Sequence, residues 1–489
     1  MKIKYLSINL IAFCLFAISC NKIELEPISS ISDKSFWKTE NDAQGALNGL
    51  YFHMRSVSSQ NLYLWGEGRS EILGSSITAS QGYDIYYNNT LNATVTGPNW
   101  QSMYLIVHDA NLIIKNVPNI SFINEANKNL ILGQAYAARA WSYFVMTKTW
   151  GALPLVLEPT TGNDPNRVNQ KRASQKEIFS SIKSDVEKAL SFIPINEFTQ
   201  GKNVWSRPAI QALKAEVFLW SGKLLQGGEN DVKTALNAIS EVEKSKVALM
   251  ANFSDVFSFS NKNNQEIIFS LSYNSLEPTR STIFSWMYAN DGYFPANLTD
   301  ADTKQKLGVL GGGYGIAPSS VVRNQFQPDD SRKNATFLEI YVTQDGIRKF
   351  HSSVNMKFRG TVLNGAREYI DDYILYRYAD ILLMKAEAKN YLNQDPTEEI
   401  NAIRKRAYGV EFNKHIFVNK GKDINDIEIL KERLFELMFE GKRWWDLIRF
   451  NKGLELVPAM KGKTSDHLLW PISQETLSLE PGVEQNPGY

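Results

Sequence analysis

Aromatic rings and a few charged side chains crowd two stretches of this chain. Between Tyr51 and Tyr104 there are nine aromatics in 54 residues. The loop-like part of that stretch carries Trp65, Arg69, Glu71, Tyr83, Asp84, Tyr86, Tyr87 and Trp100. Between Phe284 and Phe294 five of eleven residues are aromatic, with Trp286, Tyr288 and Tyr293 among them and Asp291 alongside. The chemistry such a set supports is adsorption. A ring face is electron-rich and the C–H edges of a sugar are weakly positive, so rings stack under sugars while Arg, Asp and Glu reach the hydroxyls. Burying about 50 Å² of apolar surface per stacked ring is worth roughly 1–1.5 kcal/mol. Two or three rings, after ordering costs, give a dissociation constant of roughly µM to mM. The densest cluster is Tyr83-Asp84-x-Tyr86-Tyr87 in a Gly/Asn-rich loop. For every ring in the set the competing role is core packing, and for Arg69, Glu71 and Asp84 it is a local salt bridge.

Bond-breaking chemistry leaves few traces. The five histidines, His53, His108, His351, His415 and His467, show no metal-ligand spacing, so no metal and no cofactor is expected. There is no GxSxG elbow. Gly311 to Gly315 lacks dinucleotide spacing and reads as a flexible loop. Gly462-Lys463-Thr464 resembles the end of a phosphate loop, but Val457 stands where the first Gly is needed, so it reads as a surface turn. A glycan-cleaving enzyme needs two carboxylates that meet in space, and no pair stands out. Lys plus Arg is 53 against 52 for Asp plus Glu, which argues against nucleic acid as a partner.

The first twenty residues read as an export signal. Lys2 and Lys4 precede a nearly continuous apolar run from Tyr5 to Ile18, short for a membrane span. Ala17-Ile18-Ser19-Cys20 resembles the lipobox of bacterial lipoproteins, with Ala17 in place of the usual Leu; an ordinary secretory signal is the alternative. Residues 1–19 are then a signal peptide and Cys20 is the lipid attachment point. Cys14 leaves with the signal, so no disulfide is expected. Residues 20–32 read as a tether.

Most of the body reads as helix. Small and large apolar residues recur at three- and four-residue steps from Asn127 to Trp150, stopped by Gly151 and Pro154. Ser174 to Glu177 is a capping box, and Pro208 suits a first helical turn. Further helices are expected over 231–244, 373–391, 396–408 and 423–450. Residues 61–99 and 253–367 resist helical reading, apart from short strand-like runs such as Ile267 to Leu271. The expected fold is mainly α, a tetratricopeptide-like scaffold of helical hairpins with a less regular, loop-rich lobe containing short β-strands. The boundaries are a region over 33–250 and another over 251–489, joined as one compact fold.

Several motifs, in order, resemble the SusD/RagB family of outer-membrane nutrient-binding lipoproteins of Bacteroidetes. They are Phe36 to Glu40 with Asp42-Ala43 and Ala46 to Gly49, then Trp150 to Val156, then Arg377 to Met384 with Ala386-Glu387-Ala388, then Asn401 to Ala407, then Glu432 to Leu447, and the terminal Gln485 to Tyr489. Trp444 and Trp445 look like a sugar platform, but they lie inside a fold motif and are assigned to the core. Glu440 and Arg443 are expected to make ties near a helix end. Gln485 to Tyr489 reads as a docked turn.

The resemblance implies a non-catalytic lipoprotein at the cell surface, anchored in the outer membrane through Cys20. It would capture an oligosaccharide and pass it to a TonB-dependent, SusC-like transporter. The RagB branch implies an alternative in which the cargo is peptide and the ionic residues matter more than the rings. Ligand contacts in the family come from variable loops in comparable regions. That assigns the candidates Trp65, Arg69, Glu71, Tyr83, Asp84, Tyr86, Tyr87, Trp286, Tyr288, Asp291 and Tyr293.

Overall fold

The structure, a computed structural model, describes residues 36–160, 170–277 and 279–489. The signal peptide, Cys20 and the tether lie outside the described residues. Among the described residues no helix is long and apolar enough to cross a membrane.

The scaffold is built from helices packed in neighbouring pairs. Helix α1 (Glu40–Ser58) starts at a capping box in which Thr39 and Asp42 satisfy each other's backbone N–H. It packs on α2 (Gln101–Asn116), which packs on α3 (Glu125–Trp150). Helix α3 is buried on all sides along much of its length. Its alanines let neighbours approach closely while Trp141 and Phe144 fill the gaps. It stops where Gly151 takes a positive φ of 78°. The box at Ser174 opens α4 (Gln175–Phe192), as the sequence predicts. Pro208 sits in the first turn of α5 (Arg207–Leu224), whose partner is α6 (Gly228–Glu243). The C-terminal part adds α7 (Tyr378–Tyr391), α8 (Thr397–Tyr408), α9 (Lys422–Leu437) and α10 (Arg443–Arg449).

Among the described residues there are four two-stranded antiparallel sheets, set mostly in the irregular lobe. Strand β1 (Leu73–Ser75) pairs with β3 (Ile316–Pro318), and β2 (Ile267–Leu271) pairs with β8 (Tyr373–Arg377). Strands β4 (Phe337–Gln344) and β5 (Ile347–Asn355) form a hairpin. It turns at Asp345-Gly346, both at positive φ, the geometry that matches strand twist. Strands β6 (Thr361–Leu363) and β7 (Ala366–Glu368) form a second, shorter one.

Three expectations are corrected. Residues 373–377 are not the start of a helix. Their run of Tyr, Ile and Leu is buried at every position, which suits a strand covered on both faces. The helix expected over 423–450 is broken at 438–442, where Phe439 and Gly441 have φ of 72° and 71°. The Gly311–Gly315 run is not a loose loop. Gly312, Gly313, Tyr314 and Gly315 donate backbone hydrogen bonds to Ala289, Ser285, Tyr288 and Trp286 at 2.8–3.1 Å.

Charged side chains are stacked inside the C-terminal part. Arg377, wholly buried, reaches Glu266 at 2.7 Å, Glu436 at 2.6 Å and Glu440 at 2.7 Å. Arg332 joins Asp330, Glu432 and Glu436, and Lys357 joins Glu440. A neighbouring set links Asp380, Arg433, Asp446, Arg449 and Glu387. Burial works against these carboxylates, but their cations win. Lys442 and Arg433 hold Asp380 well below the ordinary range, and three arginines do the same for Glu436. Arg449 and Lys223 lower Glu387 to about 2. A carboxyl whose folded pKa is depressed contributes stability above its unfolded pKa and loses it as pH falls through the folded one. Unfolding free energy is therefore expected to hold above about pH 5 and to drop steeply toward pH 2, with Glu387 alone contributing roughly 3 kcal/mol. Urea midpoints across that range check this; a flat profile would contradict it.

Candidate functional site

The Asn61–Tyr63 turn runs into a π-helical turn, Leu64–Gly68, which turns its side chains inward. The Trp65 ring is enclosed, with Nε1 donating to the Pro98 carbonyl at 3.0 Å and its face edge-on to Trp150 at 5.1 Å. Glu67 lies deeper. Its carboxylate accepts the backbone N–H groups of Phe439 at 2.6 Å, Gly441 at 2.7 Å and Lys442 at 3.2 Å. Burial pushes this carboxyl up to about 7, against the pull of those three donors. Gly66 makes the approach possible, since a Cβ there would stand 1.9 Å from the Gly441 carbonyl oxygen.

Arg69 donates to Asn89 at 2.8 Å and to the carbonyls of Leu469 and His467 at 2.9 and 2.6 Å, and lies over Trp444 at 4.6 Å. Glu71 accepts twice from Arg443, at 2.9 and 2.6 Å. Both are interior cross-links to the C-terminal segment. Glu440 and Arg443 likewise tie to distant partners, Arg377 and Glu71, not to each other. Trp444 and Trp445 are core residues. The terminal turn is docked through Asn486, which donates to the Trp150 and Trp470 carbonyls.

The two aromatic segments meet. The short helix Asp84–Tyr87 places Tyr83 and Tyr86 inward and leaves Asp84 and Tyr87 half-buried. Tyr86 is held between Trp470, 5.6 Å away, and Gly97, where a Cβ would strike its hydroxyl. Tyr83 donates to Gln60 at 2.7 Å and its ring lies 6.2 Å from Trp286. Burial raises the Tyr83 phenol to about 12, so it stays a donor at neutral pH. Trp286 ends the helix Thr282–Trp286 and is half-buried. Its ring lies on Gly313, where a Cβ would come within 2.2 Å. Tyr288 is buried, its hydroxyl donating to Leu307 at 2.7 Å and its ring under Arg367 at 4.4 Å. Beyond it, Asn290 donates to the Gly312 carbonyl at 2.9 Å and fixes a turn that exposes Asp291 and Tyr293, the latter by 59%.

The candidate residues thus separate. Trp65, Arg69, Glu71, Tyr83, Tyr86 and Tyr288 are buried. Composition alone singles them out, and their rings and charges hold the loops. Asp84, Tyr87 and Trp286 are partly exposed, and Asp291 and Tyr293 are exposed. Sequence reading did not single out Thr78, whose hydroxyl donates to the Gly313 carbonyl at 2.8 Å and closes the same surface. No spacing signal marks it, because its partner is 235 residues away. A separate cavity of about 350 Å³ lies between α2 and the segment Gln474–Leu479, lined by Trp100 and Tyr104. Its Tyr104 hydroxyl and Asn111 amide donate to Pro154 and Val156 carbonyls, so those polar groups are already engaged. Among the described residues no three His, Cys, Asp or Glu are grouped to hold a metal ion.

A family model described as the SusD family matches residues 341–489. A second, described as starch-binding associating with outer membrane, matches 28–219. A SusD superfamily protein from Bacteroides vulgatus is 31% identical, with a TM-score of 0.80 over 93% of this chain and 100% of that one. The chain belongs to the SusD family. NanU of B. fragilis is 34% identical, with a TM-score of 0.83 over 95% of this chain and all of that one. A SusD-like protein of Formosa agariphila is 28% identical over the whole of both chains. The two family models leave residues 220–340 unmatched, Trp286 among them, while these three relatives cover 93–100% of this chain.

Proposed function

We propose that this SusD-family protein is a non-catalytic capture protein for oligosaccharide, with its platform at Trp286, Tyr87 and Tyr293 and edge partners at Asp84 and Asp291. One observation carries the reading. Two aromatic segments some 200 residues apart converge, with Tyr83 and Trp286 6.2 Å apart, and leave rings and carboxylates at the surface. The buried tyrosine beneath Trp286 and the glycine backbone against it fix the ring's orientation, which lowers the entropy cost of stacking. The family description over 28–219 supports a glycan as the cargo. In this reading the lipidated Cys20 tethers the protein to the outer membrane, facing outward. It hands cargo to a TonB-dependent, SusC-like transporter. Weak stacking suits that task, since the ligand must leave again.

The test is titration calorimetry of the chain lacking residues 1–19. The probes are maltooligosaccharides, β-glucan oligosaccharides and a peptide digest, with product analysis of each mixture. Wild type is expected to bind one saccharide series without shortening it. Trp286→Ala should weaken that binding roughly tenfold, from the loss of one stacked ring. Binding to peptides alone, release of shorter products, or unchanged affinity in Trp286→Ala would each overturn the reading.

A further inference from the structure

A second concave feature lies along the same ladder as the platform. The β1–β3 pair continues past Ser75 through hydrogen bonds from Ser76, Ile77 and Thr78 to Gly315 and Tyr314, ending against Gly313 and the Trp286 ring. Alongside this ladder, from Ile77 back to Gly74 and on to Ser320 and Arg323, β1 and β3 face the β4–β5 hairpin across a cleft of about 280 Å³. From Gly315 to Ser319 the distance is about 13 Å at a strand's rise per residue. A chain of a few sugar units lying on Trp286 reaches that far.

The lining has a narrow chemistry. Six of its thirteen residues are serines, paired in sequence at 75–76, 319–320 and 352–353. The Ser76 and Ser352 hydroxyls bond each other at 2.7 Å, and Ser319 donates to the Glu71 carbonyl at 2.5 Å, which fixes those walls. Ser75 and Ser320 are exposed. The apolar side is made by Ile77, Ala317, Pro318 and Phe350, the last still 44% exposed although Arg323 lies 4.1 Å over its ring. Arg323 is the one charged residue of the lining, and its guanidinium is met by Glu339 at 2.7 Å. His351 completes the wall; its Nε2 has no hydrogen-bond partner among the described residues. Burial lowers its pKa, so it brings no cation at neutral pH. A cleft with hydroxyl donors and acceptors, one open aromatic ring and a compensated charge suits a neutral polyol better than an anion or an acidic peptide.

We infer that this serine-lined cleft is a second saccharide subsite, taking a neutral, hydroxyl-rich unit of a chain whose other part lies on the Trp286 platform, with Phe350 in its apolar wall. The inference rests on the glycan reading above. It makes the protein a reader of chain length: short saccharides engage the platform alone, and longer ones fill both.

The test uses the chain lacking residues 1–19 and whichever of the two saccharide series binds, from disaccharide to heptasaccharide. Wild-type affinity is expected to step up once the chain spans both sites. Phe350→Ala should remove that step, weakening the long members about five- to tenfold and leaving the short ones unchanged. Ser320→Trp, which fills the cleft mouth from an exposed position, should do the same. Trp286→Ala should weaken every length. Thermal melts confirm that the variants are folded. If Phe350→Ala and Ser320→Trp bind all lengths as wild type does while Trp286→Ala is impaired, the subsite is wrong and the platform stands. If wild type binds neither series, both fall.

Discussion

Arg377→Met is expected to cost at least 3–5 kcal/mol of folding stability, enough to leave little folded protein. The guanidinium is wholly buried and is shared by Glu266, Glu436 and Glu440. Removing it takes one positive charge from three carboxylates that share it where water does not reach, leaving them a net unpaired negative charge. Their remaining cations, Arg406, Arg332 and Lys357, are already committed. The loss is set by the uncompensated charge left behind, more than by any gain from the original pair. Urea unfolding of the variant at pH 7 reads the effect directly. The deficit should narrow as pH falls, because protonating Glu436 and Glu440 removes the stranded charge. An exposed control, Lys233→Met, breaks a pair with Glu229 that is more than half exposed on both sides and should change stability by less than about 1 kcal/mol. Equal effects at the two sites would contradict the account.

Glu67→Ala is expected to have a comparable effect through a different mechanism. One carboxylate satisfies three backbone N–H groups in the turn at 438–442. A buried donor left without a partner costs about 1–3 kcal/mol, so the three together cost roughly 3–9 kcal/mol. Glu67→Gln keeps one acceptor oxygen and turns an amide N–H₂ toward donors, so it should be impaired by less. The order wild type, Gln, Ala in unfolding midpoint is the expected result. Earlier proteolytic cleavage within 438–442 should accompany the Ala variant, since that turn holds Phe439 at a positive φ and Glu67 accepts three of its backbone N–H groups. Equal midpoints for Gln and wild type would show that the carboxylate is not what holds the turn.

These two sites mark the boundary between what residues announce along the chain and what they do in space. The helices were legible where local chemistry is decisive. The capping box at Ser174, Pro208 in a first turn and Gly151 at a C-terminus act within a few residues of themselves, and each stands where its type predicts. The break at 438–442 was not legible, because its cause is a carboxylate 372 residues away. Tyr373 to Arg377 was misread as helix for a related reason. A short apolar run has no periodicity of its own, and only pairing with β2 decides it. Among candidate site residues, composition draws attention to two segments that the fold brings together. It did not separate Trp286, half-exposed on a glycine backbone, from Tyr288, two residues on and buried.

By itself, the sequence determined the family, the helical scaffold, the aromatic segments and the expectation of an exported, tethered protein, because motifs, caps and periodicities are short-range. Only the tertiary structure decided that Arg69 and Glu71 are interior cross-links, that the glycine run is packed backbone beneath Trp286, and that a serine-lined cleft lies along the same ladder. Those depend on contacts between residues far apart in the chain, from about two dozen positions for the glycine run to hundreds for Arg69 and Glu71, which burial and hydrogen-bond satisfaction select and which no local pattern encodes.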